Sequence, residues 1–321
     1  MTDTAHPLSI ARRLSSRLEI RMLALALVIA AVLSVLSPYF LQSNNLLNLL
    51  DQSVVVGTVA IGMTFVILTG GIDLSVGSVL GVTGILFGLA MRQVGIVPAI
   101  VFAVSVGAGI GAFSGFLIAR FGLAAFVVTL GVMAIGRSLA LIFSGATAVS
   151  DVPAALGDIF YTPILGIHLN VVLLGVLYLL AWLYLSYTKG GRTIYAIGSN
   201  REAARTAGLN VLGYSVLPYV IAGALSAVGA VLLSAQILSI DPLAGTALEL
   251  DAIAAVVIGG ASLYGGRGSI FGTLIGVAIM VMIRNGLNLL GVSPFWQGSA
   301  IGSIIIAAVL VERLVSAGTQ R

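Results

Sequence analysis

Apolar residues run along this chain in long blocks separated by short polar breaks. A helix needs about 20 apolar residues to cross the hydrocarbon core of a bilayer. The blocks therefore predict spans near 22–40, 53–69, 76–91, 95–119, 124–143, 165–187, 213–236, 252–263, 269–286 and 297–314. The third, eighth and ninth are short, and are expected to be tilted, broken or only partly crossing. The pattern predicts an all-α polytopic integral membrane protein of about ten transmembrane helices, some short or broken. It divides into an N-terminal segment 1–21, one transmembrane domain 22–314 and a tail 315–321.

Composition supports this pattern. Of the 321 residues, 59% are hydrophobic and 8% charged, against about 25% charged in soluble domains. Too few charges are present to cover a water-facing surface, so membrane lipid is the expected surroundings. The 40 glycines suit close helix packing in lipid. Absence of cysteine excludes disulfides, thiolate zinc sites and thiol chemistry. His6 and His168 alone leave little for a metal, and no metal site is expected.

Charge placement sets an orientation. With the N-terminus in the cytoplasm and ten crossings, the cytoplasmic segments hold Arg12, Arg13, Arg17, Arg21, Arg120, Lys189, Arg192, Arg201, Arg205, Arg267, Arg313 and Arg321, which is 12 of the 15 basic residues. Arg92 and Arg284 fall outside, and Arg137 falls within a span. The outer loops take Asp51, Asp151, Asp158, Asp241, Glu249 and Asp251. This is the positive-inside bias, with both termini cytoplasmic. It accounts for the net charge of +4 without a nucleic-acid partner. The basic residues before the first span precede a run long enough to be a retained helix rather than a cleaved signal.

An internal echo links two tracts. Val66-Ile67-Leu68-Thr69-Gly70-Gly71 is followed by Leu74, Gly77-Ser78 and Gly81; Val256-Val257-Ile258-Gly259-Gly260 is followed by Leu263, Gly268-Ser269 and Gly272. Repeats of this kind recur in transporter folds, although Gly-rich apolar sequence also matches itself by chance.

Three segments break the apolar pattern. The longest cytoplasmic loop, 188–212, contains Ser199, Asn200, Arg201, Glu202, Ala203, Ala204, Arg205 and, after two residues, Gly208. Ser199 and Glu202 have capping-box spacing, and Gly208 is placed to stop a helix. A helix of about two turns is expected there. Free in water it would be marginal, so it either enters a groove on a partner or packs against its own bundle. The second segment is Thr69-Gly70-Gly71-Ile72-Asp73-Leu74-Ser75. Asp73 either caps the next helix or contacts a solute. In the third, Glu249 and Asp251 begin a short span and favour its N-terminus electrostatically. They stand two apart and face different ways, so paired-carboxylate catalysis is not expected.

Isolated polar groups complete the inventory. Arg137, costing roughly 2.5–3.5 kcal/mol at mid-membrane, faces the bundle interior or reaches the outer rim. Asn285, Asn288, Gln236, Trp296 and Gln297 are polar or stacking groups near the outer mouth, or ordinary packing and interface anchors. No G-x-x-x-x-G-K-[ST] phosphate loop, H-E-x-x-H or G-x-S-x-G occurs. The chain is expected to be neither an ATPase nor a hydrolase, and to bind no cofactor. A proton-coupled carrier needs acids within its spans, and here they gather at the ends. Sodium coupling through backbone carbonyls stays open.

Taken together, these motifs resemble a known family. The Asp73 tract, the Tyr195-Ala196-Ile197-Gly198-Ser199-Asn200 stretch leading to Glu202-Ala203-Ala204, and Glu249-Leu250-Asp251-Ala252-Ile253-Ala254 with Gly259-Gly260 resemble the ribose-type sugar permeases of bacterial ATP-binding-cassette importers. Arg137 after Gly136 and the tract 285–292 fit the same pattern, and the likeness covers about 38–312. It implies a subunit without catalysis of its own in the bacterial inner membrane, passing a monosaccharide or sugar-like solute. It implies a second permease copy, identical or paralogous, a cytoplasmic ATPase that uses ATP and Mg, and a periplasmic or tethered solute-binding protein. Branched-chain amino acids and sugar-derived signals use related permeases. Importers of this class carry E-A-A-x3-G in the coupling loop, matched by Glu202-Ala203-Ala204 and Gly208. The usual Leu-Pro ending is approximated by Val216-Leu217-Pro218.

Overall fold

The computed structural model describes residues 7–164, 166–293, 296–300, 302–303 and 306, with side chains from Glu19 onward. Twelve helices and one small hairpin are present among them. They are α1 (Pro7–Leu36), α2 (Ser43–Leu68), α3 (Val76–Val94), α4 (Ile96–Phe121), α5 (Ala125–Ser144), α6 (Ala154–Tyr161), β1 (Pro163–Ile164), β2 (Ile167–His168), α7 (Leu169–Tyr187), α8 (Lys189–Ser199), α9 (Arg201–Thr206), α10 (Val211–Ile237), α11 (Leu248–Ile258) and α12 (Ile270–Leu289).

Eight of these are long and apolar enough to cross a membrane: the stretch Glu19–Leu36 of α1, then α2, α3, α4, α5, α7, α10 and α12. The expected third and ninth spans are not short. Helices α3 and α12 have 19 and 20 residues, α3 because it runs past Arg92, at which its apolar block stops. The expected eighth span is α11, 11 residues long. At about 1.5 Å per residue it covers roughly half a bilayer core. The expected span 297–314 lies mostly outside the described residues, as do Arg313, Arg321 and the tail 315–321. Side chains of His6, Arg12, Arg13 and Arg17 lie outside them too.

Burial sorts the helices into a centre and a rim. The most apolar stretch of α2 is 83% buried, whereas that of α1 is 11% buried. One apolar core joins α2, α3, α10, α11 and α12 through residues such as Val59, Val66, Leu80, Ala222, Ala255 and Val277. Helices α1, α4, α5 and α7 turn large apolar side chains outward, among them Val28, Val101, Ile135 and Leu180. Such faces are stable against lipid, where they need no polar cover. Helices α4 and α10 approach backbone to backbone at Gly107, Gly111 and Gly223, the close contact that small residues permit. Pro218 lies buried within α10, not in the loop before it.

Both echoed tracts end their helices in one way. After α2, Gly70 takes φ +78°, its N–H donates to the Ile67 carbonyl at 2.9 Å, and the Gly71 N–H donates to that of Val66 at 3.2 Å. After α11, Gly260 takes φ +90°, with Gly260 donating to Val257 at 2.8 Å and Ala261 to Val256 at 3.1 Å. This is the glycine-terminated Schellman stop. In each case the chain then turns into a spanning helix, α3 or α12. The two tracts are thus one helix–stop–helix unit used twice.

Candidate functional site

The segment expected as a loop is largely helical. Helix α8 fills Lys189–Ser199, capped by Thr188, whose Oγ1 accepts the Gly191 N–H at 3.0 Å. Because Ser199 is the last residue of α8, it cannot start the next helix. Asn200 does so instead: its backbone is extended and its Oδ1 accepts the Ala203 N–H at 2.9 Å. The expected capping box from Ser199 to Glu202 is therefore replaced by an Asn200 cap. The expected stop is present. Gly208 takes φ +76°, its N–H donates to the Arg205 carbonyl at 3.0 Å, and Leu209 donates to Ala204 at 3.1 Å.

Helix α9 is a protruding knob. Arg201, Glu202, Ala203, Arg205, Thr206, Ala207 and Gly208 are exposed, and Ala204 alone of α9 is buried. Ala204 faces the bundle, whereas Ala203 and Ala207 face outward.

Helix α8 ties this knob to the bundle. The Tyr195 hydroxyl donates to the Gly268 carbonyl at 2.9 Å. Gly198 lies directly on the Leu68 carbonyl that ends α2, and that oxygen accepts the Gly266 N–H at 2.9 Å. Ser199 lies against Gly266. Within the same region Glu19 of α1 accepts a hydrogen bond from Ser269, the cap of α12. The ends of α2, α8 and α11, the start of α12 and the turn of α1 around Glu19 therefore meet at one end of the bundle. Sequence periodicity missed α8, since Gly190 and Gly191 sit in its first turn and glycine disfavours helix. Thr188 was the available signal.

Beside this junction, Asp73 is buried and has a capping role. Its Oδ1 accepts the Ser75 N–H at 2.9 Å and the Ser75 hydroxyl at 2.6 Å, just before α3. Burial raises the Asp73 carboxyl above the usual range, against the lowering effect of the two Ser75 bonds. Gly71 lies against the Tyr219 hydroxyl.

The polar groups of the other end are mostly satisfied in pairs. Arg137 faces the interior: Nη1 donates to the Pro242 carbonyl at 3.1 Å and that of Ala244 at 2.8 Å. It pins the irregular segment before α11. Glu249 lies beside Gly77 of α3, whereas Asp251 faces α12 and pairs with Arg284 at 2.7 Å. The two carboxylates do face apart, and both lie within α11 rather than in an outer loop. Asp51 likewise lies within α2, buried, 3.0 Å from His168 Nδ1 and 3.2 Å from Asn170 Nδ2. Asn285 and Asn45 exchange amide bonds at 2.9 and 3.1 Å, joining α12 to α2. Asn288 accepts from Gln297 at 2.6 Å, and Trp296 is exposed. Gly259 packs on the backbone of Gly272. Among the described residues no cluster of His, Asp and Glu could hold a metal ion.

A cleft of about 260 Å³ opens among α2, α10, α11, α12 and the turn before α11. Gln52, Gln236, Thr246, Asp251 and Arg284 supply its polar wall, with Val55 and Met280 on its apolar wall. Sequence reading named Gln236 and Asp251 but missed Gln52 and Thr246, which lie in unremarkable surroundings along the chain.

Comparison with known proteins agrees with this architecture. Residues 45–311 match the family described as branched-chain amino acid transport system / permease component. The ribose import permease protein of Escherichia coli K12 is 41% identical over 300 residues, covering 92% of this chain and 94% of its own length. That of Bacillus subtilis is 42% identical over 293 residues, 90% of this chain and 91% of its own. A D-allose transport system permease of E. coli K12 is 36% identical over 90% of each chain. No solved structure matches the chain significantly. With the family matched over most of its length and a polytopic helical bundle to carry it, this chain belongs to the branched-chain amino acid and ribose type of transport-system permeases, as a multi-pass membrane protein.

Proposed function

We propose that this chain is the membrane-spanning subunit of an ATP-driven importer that moves a monosaccharide into the cytoplasm. The α8–α9 end faces the cytoplasm and the Asp251–Arg284 end faces outward, in the bacterial inner membrane. A separate ATPase subunit, using ATP and Mg, grips α9. A second copy or paralogue of the chain completes the pore, and a periplasmic or tethered binding protein delivers the solute. The chain makes and breaks no covalent bond.

One observation carries this reading: α9 is capped at both ends, exposed on all sides but Ala204, and joined through α8 to the ends of α2 and α11. A knob so connected can pass movement inward, and a self-sufficient carrier has no use for it. The names of the similar proteins, importers of ribose and allose, support the solute class.

Reconstitution tests it. With the partner ATPase and binding protein, vesicles should take up D-ribose, D-allose or a similar monosaccharide only when ATP is supplied. Uptake by this chain alone, driven by a sodium or proton gradient, would establish the secondary-carrier alternative instead.

A further inference from the structure

We propose that the cleft among α2, α10, α11 and α12 is a monosaccharide-binding station on the transport path, held by Gln52, Gln236, Thr246 and the Asp251–Arg284 pair. The inference rests on the import reading above and adds to it where in the permease the solute is held.

The state of the polar groups is the first reason. Among the described residues, neither the Gln52 nor the Gln236 side-chain amide has a hydrogen-bond partner, although both line the cleft. Both residues are half-buried, so their amides stay accessible from the cleft and free to bond a solute there. The neighbouring amides of Asn45 and Asn285 close on each other, so this bundle does pair such groups where it needs only packing. Arg284 uses Nη2 alone, at 2.8 and 2.7 Å to the two Asp251 oxygens. A guanidinium carries five N–H donors, so three remain. The Thr246 hydroxyl donates to the Leu243 carbonyl at 2.6 Å and keeps its acceptor capacity.

The second reason is chemical fit. Sugar hydroxyls each donate and accept, and the wall offers amide donors and acceptors, guanidinium donors and carboxylate and hydroxyl acceptors. Asp251 and Arg284 neutralise each other, so a neutral polyol enters without an uncompensated charge. Val55 and Met280 give its C–H faces an apolar surface. The space, about 260 Å³, falls just below the range of about 300–1,000 Å³ for small-molecule pockets and suits one sugar ring.

Position is the third. Gln52 precedes Leu68 by 16 residues along α2, or roughly 24 Å of helix. The cleft is thus at the far end from the α8 junction, where a solute delivered from outside arrives first.

The chain has no cysteine, so an introduced thiol is the one residue of this chain that can form a mixed disulfide with the reagent. Gln236→Cys and, separately, Thr246→Cys are placed in the full chain, reconstituted with its ATPase and binding protein. The rate of modification by a charged methanethiosulfonate is measured with and without D-ribose, D-allose or D-fructose. Ser150→Cys, exposed in the loop after α5, serves as the unprotected comparison, and wild-type uptake is recorded alongside. One of these sugars, at about twice its dissociation constant, should slow labelling about threefold at residues 236 and 246 and leave residue 150 unchanged. No slowing at either position while the wild type imports that sugar overturns the station and spares the import reading. Slowing by L-leucine but by no sugar overturns the monosaccharide assignment. No labelling at either position overturns the accessible cleft. If the wild type imports none of the three sugars and none protects, both readings fall.

Discussion

No side chain fits between Gly198 of α8 and the carbonyl oxygen of Leu68, which closes α2. The same oxygen holds the Gly266 N–H, so three chain segments meet through backbone alone. Close-packed backbone has little slack and transmits displacement. A push on α9 therefore reaches α2 and the turn between α11 and α12 through α8.

Gly198→Ala must move α8 off α2. In reconstituted vesicles, solute imported per ATP hydrolysed should fall within the 5–150-fold range, about 1–3 kcal/mol, typical of coupling between sites. Tyr195→Phe removes only the bond to the Gly268 carbonyl, worth about 1 kcal/mol, and should lower the same ratio about fivefold. ATPase association should survive both. An unchanged ratio in both variants would remove α8 as the relay.

The knob can be broken at its cap, its surface or its stop. Asn200→Ala should cost about 0.5–2 kcal/mol of local helix stability. Glu202→Lys reverses an exposed charge, and Gly208→Pro cannot adopt φ +76° because proline holds φ near −65°. The last two should abolish co-purification of the ATPase while membrane insertion stays normal. Undiminished uptake in either would count decisively against docking at α9.

Arg137→Met leaves the Pro242 and Ala244 carbonyls without their donor. Hydrogen bonds to charged groups are worth about 1.5–3 kcal/mol each, so thermal unfolding in detergent should shift clearly downward, with Arg137→Lys intermediate. A melting temperature equal to wild type in Arg137→Met would show that these bonds add nothing.

Asn45 and Asn285 should behave as a unit. Either single change to Leu strands a buried amide, at about 1–3 kcal/mol. The double variant strands none and should be more stable than the sum of the single effects predicts. Strict additivity in denaturation midpoints would argue against the reciprocal pair.

Much of this molecule is legible in the chain. Glycine pairs at 70–71 and 259–260 mark helix ends because left-handed backbone is easy for glycine. Gly208 marks a stop for the same reason, and Asp73 marks a helix start. Other features mislead. Ser199 and Asn200 are both good caps, and only the extent of α8 decides between them. Asp51 reads as an outer-loop acid, yet lies inside α2 where His168 and Asn170 reach it.

What the sequence determines alone is therefore the solvent and most of the helices. Transfer of a side chain from water to lipid is nearly a property of that residue, and it sums along a window. Tertiary structure decides which polar groups meet. Asp251 finds Arg284 33 residues away, Gln52 shares a wall with Gln236, and Gly198 lands on Leu68. Each polar group had several chemically equivalent partners along the chain, and only helix packing brings one of them within hydrogen-bond reach.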